Sequence, residues 1–295
     1  TTGASNTAVG RNALTSNTTA ANNTALGSNT MAANSTGTRN VAVGRNALLT
    51  NTTAQSNTAV GYTALNDTTT GSGNTGIGSE ALFKNTTAAN NTGIGHLAMY
   101  ENTTGHSNTA IGMSALKVNT TGVENVAVGY GALDANQAGG ENVAIGYNAL
   151  GVNTASSNTA VGSASMPACT GGFDNTAVGV SAGISVTTGD NNLFLGHDAG
   201  RSGSPGGLIN TANNQIVLGD ENIANAHIQV DWTVASDQRD KTDFTDLDVG
   251  LDFVNGLKPV TYKWDKRSKY LSDTDRGTVD LNTITHDGTH KEDWL

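Results

Sequence analysis

Residues 235–241 combine a serine, a lysine and other charged residues in one short segment, which reads Ala-Ser-Asp-Gln-Arg-Asp-Lys. A serine hydroxyl becomes a nucleophile when a base takes its proton. Lys241 can serve Ser236 as that base once burial or a cationic neighbour, such as Arg239, lowers its pKa from about 10.4. Nucleophilic catalysis is the chemistry that this pair could perform. By itself, however, such a segment is more typical of a solvated turn.

The chain before this segment is built from a short repeat. Asparagine stands four positions before each repeat glycine, and Val, Ile or Leu stands immediately before it. Ten of the eleven spacings between these glycines are 17 residues, and one is 16. A looser thirteenth copy, residues 215–219, follows a Gly- and Ser-rich insertion at 201–207. The repeat glycines are Gly10, Gly27, Gly44, Gly61, Gly78, Gly95, Gly112, Gly129, Gly146, Gly162, Gly179 and Gly196.

Each unit carries two short apolar pieces separated by Gly and polar residues, which is too little to bury a core alone. Stacked units bury a continuous core, because each turn packs on its neighbours. Glycine recurs inside every unit, and Asn and Thr are weak helix formers. We therefore predict an all-β fold, a β-solenoid or β-roll fibre of 17-residue repeats. At about 4.8 Å per turn the rod is on the order of 60 Å long. We also expect the asparagines to form ladders along it.

Alternation along each strand separates two faces. Val9 and Ala8 point to opposite sides. The position of Ala8 holds Ala or Gly in every copy up to Ala177, and Phe194 breaks the rule. We interpret the small residues as a face that abuts a second chain, with the Val9 position filling the coil. The alternative is that the alanines pack inside their own coil.

Composition excludes several classes of protein. The formal net charge of −10 disfavours nucleic acid and anionic membranes as partners. Cys169 is the only cysteine, which excludes an internal disulfide framework. The first 219 residues hold nine acidic residues and lack the recurrent Gly-Gly-x-Gly-x-Asp signature of calcium-loaded solenoids. We therefore expect no metal and no cofactor, and no apolar stretch approaches the roughly 20 residues that span a bilayer.

The composition changes near residue 220. Residues 220–295 hold 16 acidic and 9 basic residues and all three tryptophans. Here we predict a strand at 228–234, a helix at 246–257 ended by Pro259, and a strand at 260–264. The predicted domains are a repeat shaft at 1–200, a degenerate last repeat and connecting stem at 201–235, and a small α+β module at 236–295.

Two stretches resemble known families. Residues 4–200 are similar to the head repeats of trimeric autotransporter adhesins, whose Asn-Ser-Val-Ala-Ile-Gly-like motif also occurs in bacteriophage tail fibres. This resemblance implies a left-handed roll and a homotrimer. The Ser-Asp-x-Arg-x-Lys string, together with Leu-Lys-Pro-Val-Thr-Tyr-Lys-Trp at 257–264, resembles the C-terminal intramolecular chaperone domain of endosialidase tailspikes and many phage fibres.

The second resemblance implies a domain that trimerises, assists folding and is released by self-cleavage. Ser236 is then the nucleophile, Lys241 its general base, and the bond after Ala235 the scissile bond. Asp237 and Arg239 match the motif and would orient the pair or form salt bridges. The chain departs from the family at Asp240, where an apolar residue is usual. It also ends before the family's Gly-Phe-Ile-Ala-Gln-Glu-like segment, so we expect an incomplete module.

The function predicted from these features is that of a structural, host-receptor-binding tail fibre in the virion, made in the host cytoplasm. The expected partners are two further copies of the chain, other virion tail proteins on the N-terminal side, and a host surface glycan or protein. His197, Arg201 and Trp232 are the predicted receptor contacts. No nucleic acid or membrane insertion is expected, and no turnover enzyme beyond self-cleavage.

Two other functions stay open, a bacterial trimeric surface adhesin and a carbohydrate-degrading tailspike. An adhesin of that class ends in a membrane-anchoring barrel, whereas this C-terminus is charged. A glycosidase needs two carboxylates flanking the scissile bond, and the acids of the repeats are scattered. Tyr62, Tyr130 and Tyr147 all follow repeat glycines, and we expect them to cover edges rather than bind sugars. His286, Asp287, His290 and Asp293 are read as an exposed loop rather than a metal site.

Overall fold

A computed structural model describes residues 3–227 and two short strands at 264–265 and 291–292. The chain divides into two compact units, Thr1–His227 and Ile228–Leu295, and each is described by itself. The predicted helix at 246–257 and the predicted strand at 228–234 lie outside the described residues.

The first unit is a parallel β-solenoid, as predicted. Each repeat contributes one three-residue strand, and each strand pairs in register with the next, so that Ala8 lies beside Ala25 and Ala25 beside Ala42. All thirteen strands form one sheet in sequence order, and the described residues contain no helix. The strands are β1 Thr7–Val9, β2 Thr24–Leu26, β3 Val41–Val43, β4 Thr58–Val60, β5 Thr75–Ile77, β6 Thr92–Ile94, β7 Thr109–Ile111, β8 Val126–Val128, β9 Val143–Ile145, β10 Thr159–Val161, β11 Thr176–Val178, β12 Leu193–Leu195 and β13 Ile216–Leu218.

The repeat glycine is required where each strand ends. From Gly10 to Gly179 these glycines have φ between +131° and +140°, a conformation that side-chain-bearing residues rarely adopt. Successive glycines also lie directly on one another. A Cβ placed on Gly129 would lie 2.4 Å from the carbonyl oxygen of Gly146. The fixed position of glycine in the sequence therefore reflects both the backbone angle and the close stacking of the turns.

The prediction that the small residues face a second chain is wrong. The alternative, that the alanines pack inside their own coil, is the one observed. From Ala25 onward, the alanines two positions before the glycines are fully buried inside their own coil, where Ala42 and Ala59 pack with leucines such as Leu65. Ala8, in the first turn, is exposed. The interior is narrow, because a Cβ on Gly76 would lie only 3.1 Å from Leu65 Cγ. Small residues are thus needed to leave room for the leucine, and the Val9 position faces outward.

Phe194 shows how the same interior accepts one large side chain. Its ring is fully buried at a position that elsewhere holds Ala or Gly. The two nearest leucine positions are glycines instead, Gly183 and Gly200. A Cβ on Gly200 would lie 2.5 Å from the Phe194 ring, and one on Gly183 would lie 3.1 Å from it. The phenylalanine therefore fills the volume that leucine side chains would occupy at these two glycine positions.

The predicted asparagine ladders are present, and they satisfy buried backbone groups. In the first ladder, Asn108 Oδ1 accepts from the backbone N–H of Asn125 at 3.0 Å and from its side-chain amide at 3.1 Å. The amide of Asn108 donates to the Gly122 carbonyl at 2.9 Å. In a second ladder, seven positions after each glycine, Asn119 Nδ2 donates to Asn102 Oδ1 at 2.8 Å. Buried polar groups left unpaired are costly, so each asparagine stabilises two turns.

The second ladder is interrupted at Thr68, which yields a prediction. The buried Oδ1 of Asn51 has no hydrogen-bond partner, and Asn85 Nδ2 reaches Thr68 Oγ1 only at 3.4 Å. Thr68→Asn places an amide between them, so we expect the free energy of unfolding to rise by about 1 kcal/mol. Urea unfolding of both chains at one protein concentration measures this change in the free energy of unfolding. Thr70→Asn, at an exposed neighbouring position, should change stability by less than about 0.5 kcal/mol. A Thr68→Asn variant no more stable than the wild type would contradict the ladder account.

Cys169 takes the place of an asparagine in this second ladder. Its thiol is buried, and burial raises its pKa to about 11. It donates a weak hydrogen bond to the Gly172 carbonyl, with the sulfur 3.5 Å from the oxygen. The residue therefore stays a protonated thiol near neutral pH and packs as a small apolar side chain.

In the second unit, strands β14 Trp264–Asp265 and β15 Lys291–Glu292 pair antiparallel. Strand β14 includes the last residue of the strand predicted at 260–264.

Candidate functional site

Two of the predicted receptor contacts, His197 and Arg201, lie in one charged cluster at the last turns of the solenoid. His197 Nδ1 is 3.4 Å from Asp220 Oδ2 and 3.5 Å from Asp198 Oδ2. Arg201 Nη1 is 2.6 Å from the same Asp198 oxygen, and Arg201 Nη2 is 3.5 Å from Glu221 Oε1. The sequence prediction missed the three acidic partners. Register could have found one of them, because Asp220 follows Gly219 as His197 follows Gly196.

The electrostatics of this cluster favour ion pairing within the fold. The carboxylate of Asp198 is almost fully buried and bonds to the Arg201 guanidinium. Hydrogen bonds from the side chain and backbone of Asn222, and then from His197, lower the pKa of Asp220. His197, Asp198 and Asp220 offer three ligand atoms within 4.8 Å of one another. Arg201 neutralises Asp198 within its own turn, and the contacts of His197 with Asp220 and of Arg201 with Glu221 tie the residues after strand β13 to the turn before them.

The other predicted site residues fall outside the described residues. These are the receptor contact Trp232, the self-cleavage residues Ala235, Ser236, Asp237, Arg239 and Lys241, and the polar residues His286, Asp287, His290 and Asp293.

An exposed aliphatic stripe runs along the outer side of the sheet. We call it the aliphatic face and define it as the strand positions one and three residues before each repeat glycine. In all thirteen strands both positions are Thr, Val, Ile or Leu. The largest side chains are strongly exposed, including Val9 at 56%, Leu26 at 47% and Ile145 at 40%. Monomeric soluble proteins rarely expose so long an apolar surface.

Aromatic side chains form two separate groups on the surface of the turns. Tyr130 and Tyr147 are exposed and stack at 5.5 Å between ring centroids. Tyr62 lies several turns away from them, beneath the Arg45 guanidinium at 5.9 Å. Phe83 and Tyr100 stack at 5.1 Å near Tyr62, in a column five residues after the glycines. The three tyrosines singled out in the sequence therefore form no continuous stripe.

A groove of about 350 Å³ lies beside this second group. It crosses four consecutive turns and is lined by Tyr62, Phe83, Tyr100, Asn46, Asn66 and Glu80, together with Leu49 and Thr63. No strand residue lines it, so it is separate from the aliphatic face. The sequence signal for this groove was the recurrence of Phe83 and Tyr100 at one position of successive repeats.

Comparison with known proteins finds one family. Residues 236–279 match the family model described as chaperone of endosialidase (Peptidase S74). The match begins at Ser236, so it confirms the resemblance inferred from the Ser-Asp-x-Arg-x-Lys string. No curated protein and no solved structure was found to match the chain. A helix that could span a bilayer is absent from the described residues.

Proposed function

We propose that this chain is a homotrimeric tail fibre of a tailed bacteriophage, which binds the host surface and folds with the help of its C-terminal chaperone segment. The observation that carries the proposal is the chaperone of endosialidase match at 236–279, directly after a thirteen-strand β-solenoid. This combination is typical of tail fibre-like and tailspike-like proteins. The proposed location is the virion, with other tail proteins at the N-terminal side.

The aliphatic face supports assembly of three copies. It is free of charged residues over all thirteen strands, although the chain carries a net charge of −10. Charged residues are depleted at the cores of protein interfaces. Since each copy presents the same stripe with the same spacing per turn, identical copies can pack their stripes against one another along the whole shaft. The proposed interface is thus the face opposite to the buried alanines.

The cluster at the end of the solenoid supports a contact with the host. The side chain of His197 is 63% exposed and that of Arg201 is 45% exposed. His197 contacts Asp220 of the next turn, and Arg201 bonds to Asp198 of its own turn, which fixes the positions of both side chains on the surface. His197 and Arg201 are our proposed receptor contacts at this end, and Trp232, which lies outside the described residues, is proposed as a further receptor contact.

The proposed self-cleavage breaks the peptide bond between Ala235 and Ser236. Ser236 Oγ attacks the Ala235 carbonyl carbon, and Lys241 takes the hydroxyl proton and passes it to the departing nitrogen. The acyl group thereby moves from the Ser236 nitrogen to its oxygen. Water then hydrolyses the ester, which leaves a carboxylate on Ala235 and a free amine on Ser236. Trimer assembly would bury Lys241 and lower its pKa, which ties cleavage to correct folding.

The mass of the purified full-length gene product under denaturing conditions tests this proposal. We expect two fragments whose masses sum to the intact chain plus one water, with the second beginning at Ser236. Ser236→Ala and Lys241→Ala should each leave the chain intact, while Ser268→Ala should cleave like the wild type. Cleavage that persists in Ser236→Ala, or a wild-type chain that never cleaves, would contradict the dyad.

A further inference from the structure

We infer that the groove beside Tyr62 is a binding site for a neutral oligosaccharide, in place of the sequence-based expectation that Tyr62 only covers an edge. The inference rests on the proposed host-binding function and names both a second site and its ligand class. We call it the Tyr62 groove and define it by Tyr62, Phe83, Tyr100, Asn46, Asn66 and Glu80.

The aromatic walls of the Tyr62 groove are held in place before any ligand arrives. Phe83 and Tyr100 stack with their planes 11° apart. Lys84 lies over the Tyr100 ring at 5.5 Å and is anchored by a 2.6 Å ion pair to Glu101. That hydrogen bond raises the pKa of Lys84, so the lysine stays charged over the ring. A site with ordered walls loses little conformational entropy on binding.

The polar groups of the groove are placed for hydroxyl groups. Asn66 Nδ2 donates to the Asn46 backbone carbonyl at 3.1 Å, which fixes the amide while its Oδ1 accepts from no described residue. Asn46 Oδ1 accepts from Asn29 at 3.1 Å, which leaves the Asn46 Nδ2 donor free. Among the described residues, none donates a hydrogen bond to the Glu80 carboxylate. The groove therefore offers a free donor and free acceptors beside aromatic rings.

Sugars match this combination of surfaces. A pyranose ring presents C–H groups on its faces and hydroxyl groups at its edges, so it can stack on Phe83 or Tyr62 while Asn46, Asn66 and Glu80 bond its hydroxyls. Aromatic residues supply large contact area at low entropic cost. The groove crosses four turns at about 4.8 Å per step, so it runs on the order of 15 Å along the shaft. That length accommodates several sugar units in a row.

Charge selects neutral glycans over acidic ones and over nucleic acid. Lys84 is paired with Glu101. The other charges at the groove are one anion, the Glu80 carboxylate in its lining, and one cation, the Arg45 guanidinium over the Tyr62 ring. These two charges are of opposite sign, so the groove has no excess of positive charge to attract an anion. A polyanion would meet this carboxylate and the overall charge of −10. An extended peptide would need a free strand edge, but the strands at this level are paired on both sides. A neutral chain of sugars satisfies the groove without these conflicts.

Binding of the full chain to a panel of neutral hexose and N-acetylhexosamine oligosaccharides of four to six units tests this inference, by calorimetry. We expect at least one to bind the wild type, and Tyr62→Ala and Tyr100→Ala each to weaken it about tenfold or more. Tyr147→Ala, an exposed tyrosine outside the groove, is the matched control and should bind like the wild type. Glu80→Gln tests the polar contact, with Glu141→Gln as its control. Thermal unfolding of each variant confirms that the solenoid is intact.

Three outcomes would overturn the inference. They are no binding by any panel member, unchanged binding in both groove variants, and equal weakening by Tyr147→Ala. An acidic glycan that binds in preference would overturn the charge argument. These failures are separate from failure of the proposed function, which would appear as a folded monomer or as an uncleaved wild-type chain. If the protein is a trimer and the groove variants bind the glycan as tightly as the wild type, the proposed function stands and the Tyr62 groove is not the binding site.

Discussion

Gly129→Ala is expected to lower the free energy of unfolding by about 3–5 kcal/mol. Gly129 has φ of +133°, and an added Cβ would meet the Gly146 carbonyl oxygen at 2.4 Å and its carbon at 2.7 Å. Both atoms belong to the backbone of the next turn, so neither can swing aside. The turns must then separate locally, which breaks the pairing of the strands on both sides of Gly129. Urea unfolding of the full chain at a single protein concentration measures the loss.

Gly171→Ala is the matched control for this prediction. Gly171 lies in the same shaft, but an added Cβ would have its nearest heavy atom at 3.8 Å, the Thr188 Cγ2. Its backbone angle is one that alanine adopts, so we expect stability to stay unchanged or to rise by up to about 1 kcal/mol. Equal losses at Gly129 and Gly171 would mean that the turns are not stacked glycine on glycine.

The second large effect concerns the aliphatic face. Val128 and Ile145 are neighbours on successive strands, and both point outward on this face. The double variant Val128→Asp/Ile145→Asp places two carboxylates per copy in the proposed interface. An unpaired buried charge costs several kcal/mol, and a trimer would hold six of them. We therefore expect folded monomers, or a trimer weakened by more than about a thousandfold, in sedimentation equilibrium.

Val152→Asp is the control for this interface. Val152 is 43% exposed, comparable to Ile145, but it lies six residues after its glycine and off the aliphatic face. It should remain a trimer. The same solenoid signal in circular dichroism for both variants separates loss of assembly from loss of fold. A double variant that stays trimeric would show that the interface lies on another side of the shaft.

The repeat itself could be predicted from the sequence because each position of the unit has one physical role. The glycine forms the turn where successive repeats stack, and the asparagine forms the hydrogen-bonded ladder. The three residues between them form the strand, so the 17-residue spacing predicts where each strand lies. Alternation alone could not decide which strand face is inside. The strictly small residues were read as a contact with another chain, whereas they leave room for Leu65 and its equivalents. The leucine or methionine four positions after ten of the twelve repeat glycines was the signal that the interior of the coil is already filled by its own side chains.

The candidate sites were less predictable, because their residues come from different turns. His197 and Arg201 could be guessed as exposed charged residues near Asp198 in sequence. Their partners Asp220 and Glu221 become neighbours only through the register of successive turns. The Tyr62 groove combines three columns of the repeat, which stand one, two and five positions after the glycine, and none of these columns is aromatic throughout. Such sites can be found from sequence only after the repeat has been aligned turn by turn.

The molar mass of residues 1–295 in solution tests the central claim most directly. With Ser236→Ala to keep the chain intact, sedimentation equilibrium should give three times the chain mass of 30.0 kDa. The account predicts this mass over a range of protein concentrations, since the aliphatic face runs along the whole shaft. A folded particle of 30.0 kDa, with its aliphatic face in water, would contradict it.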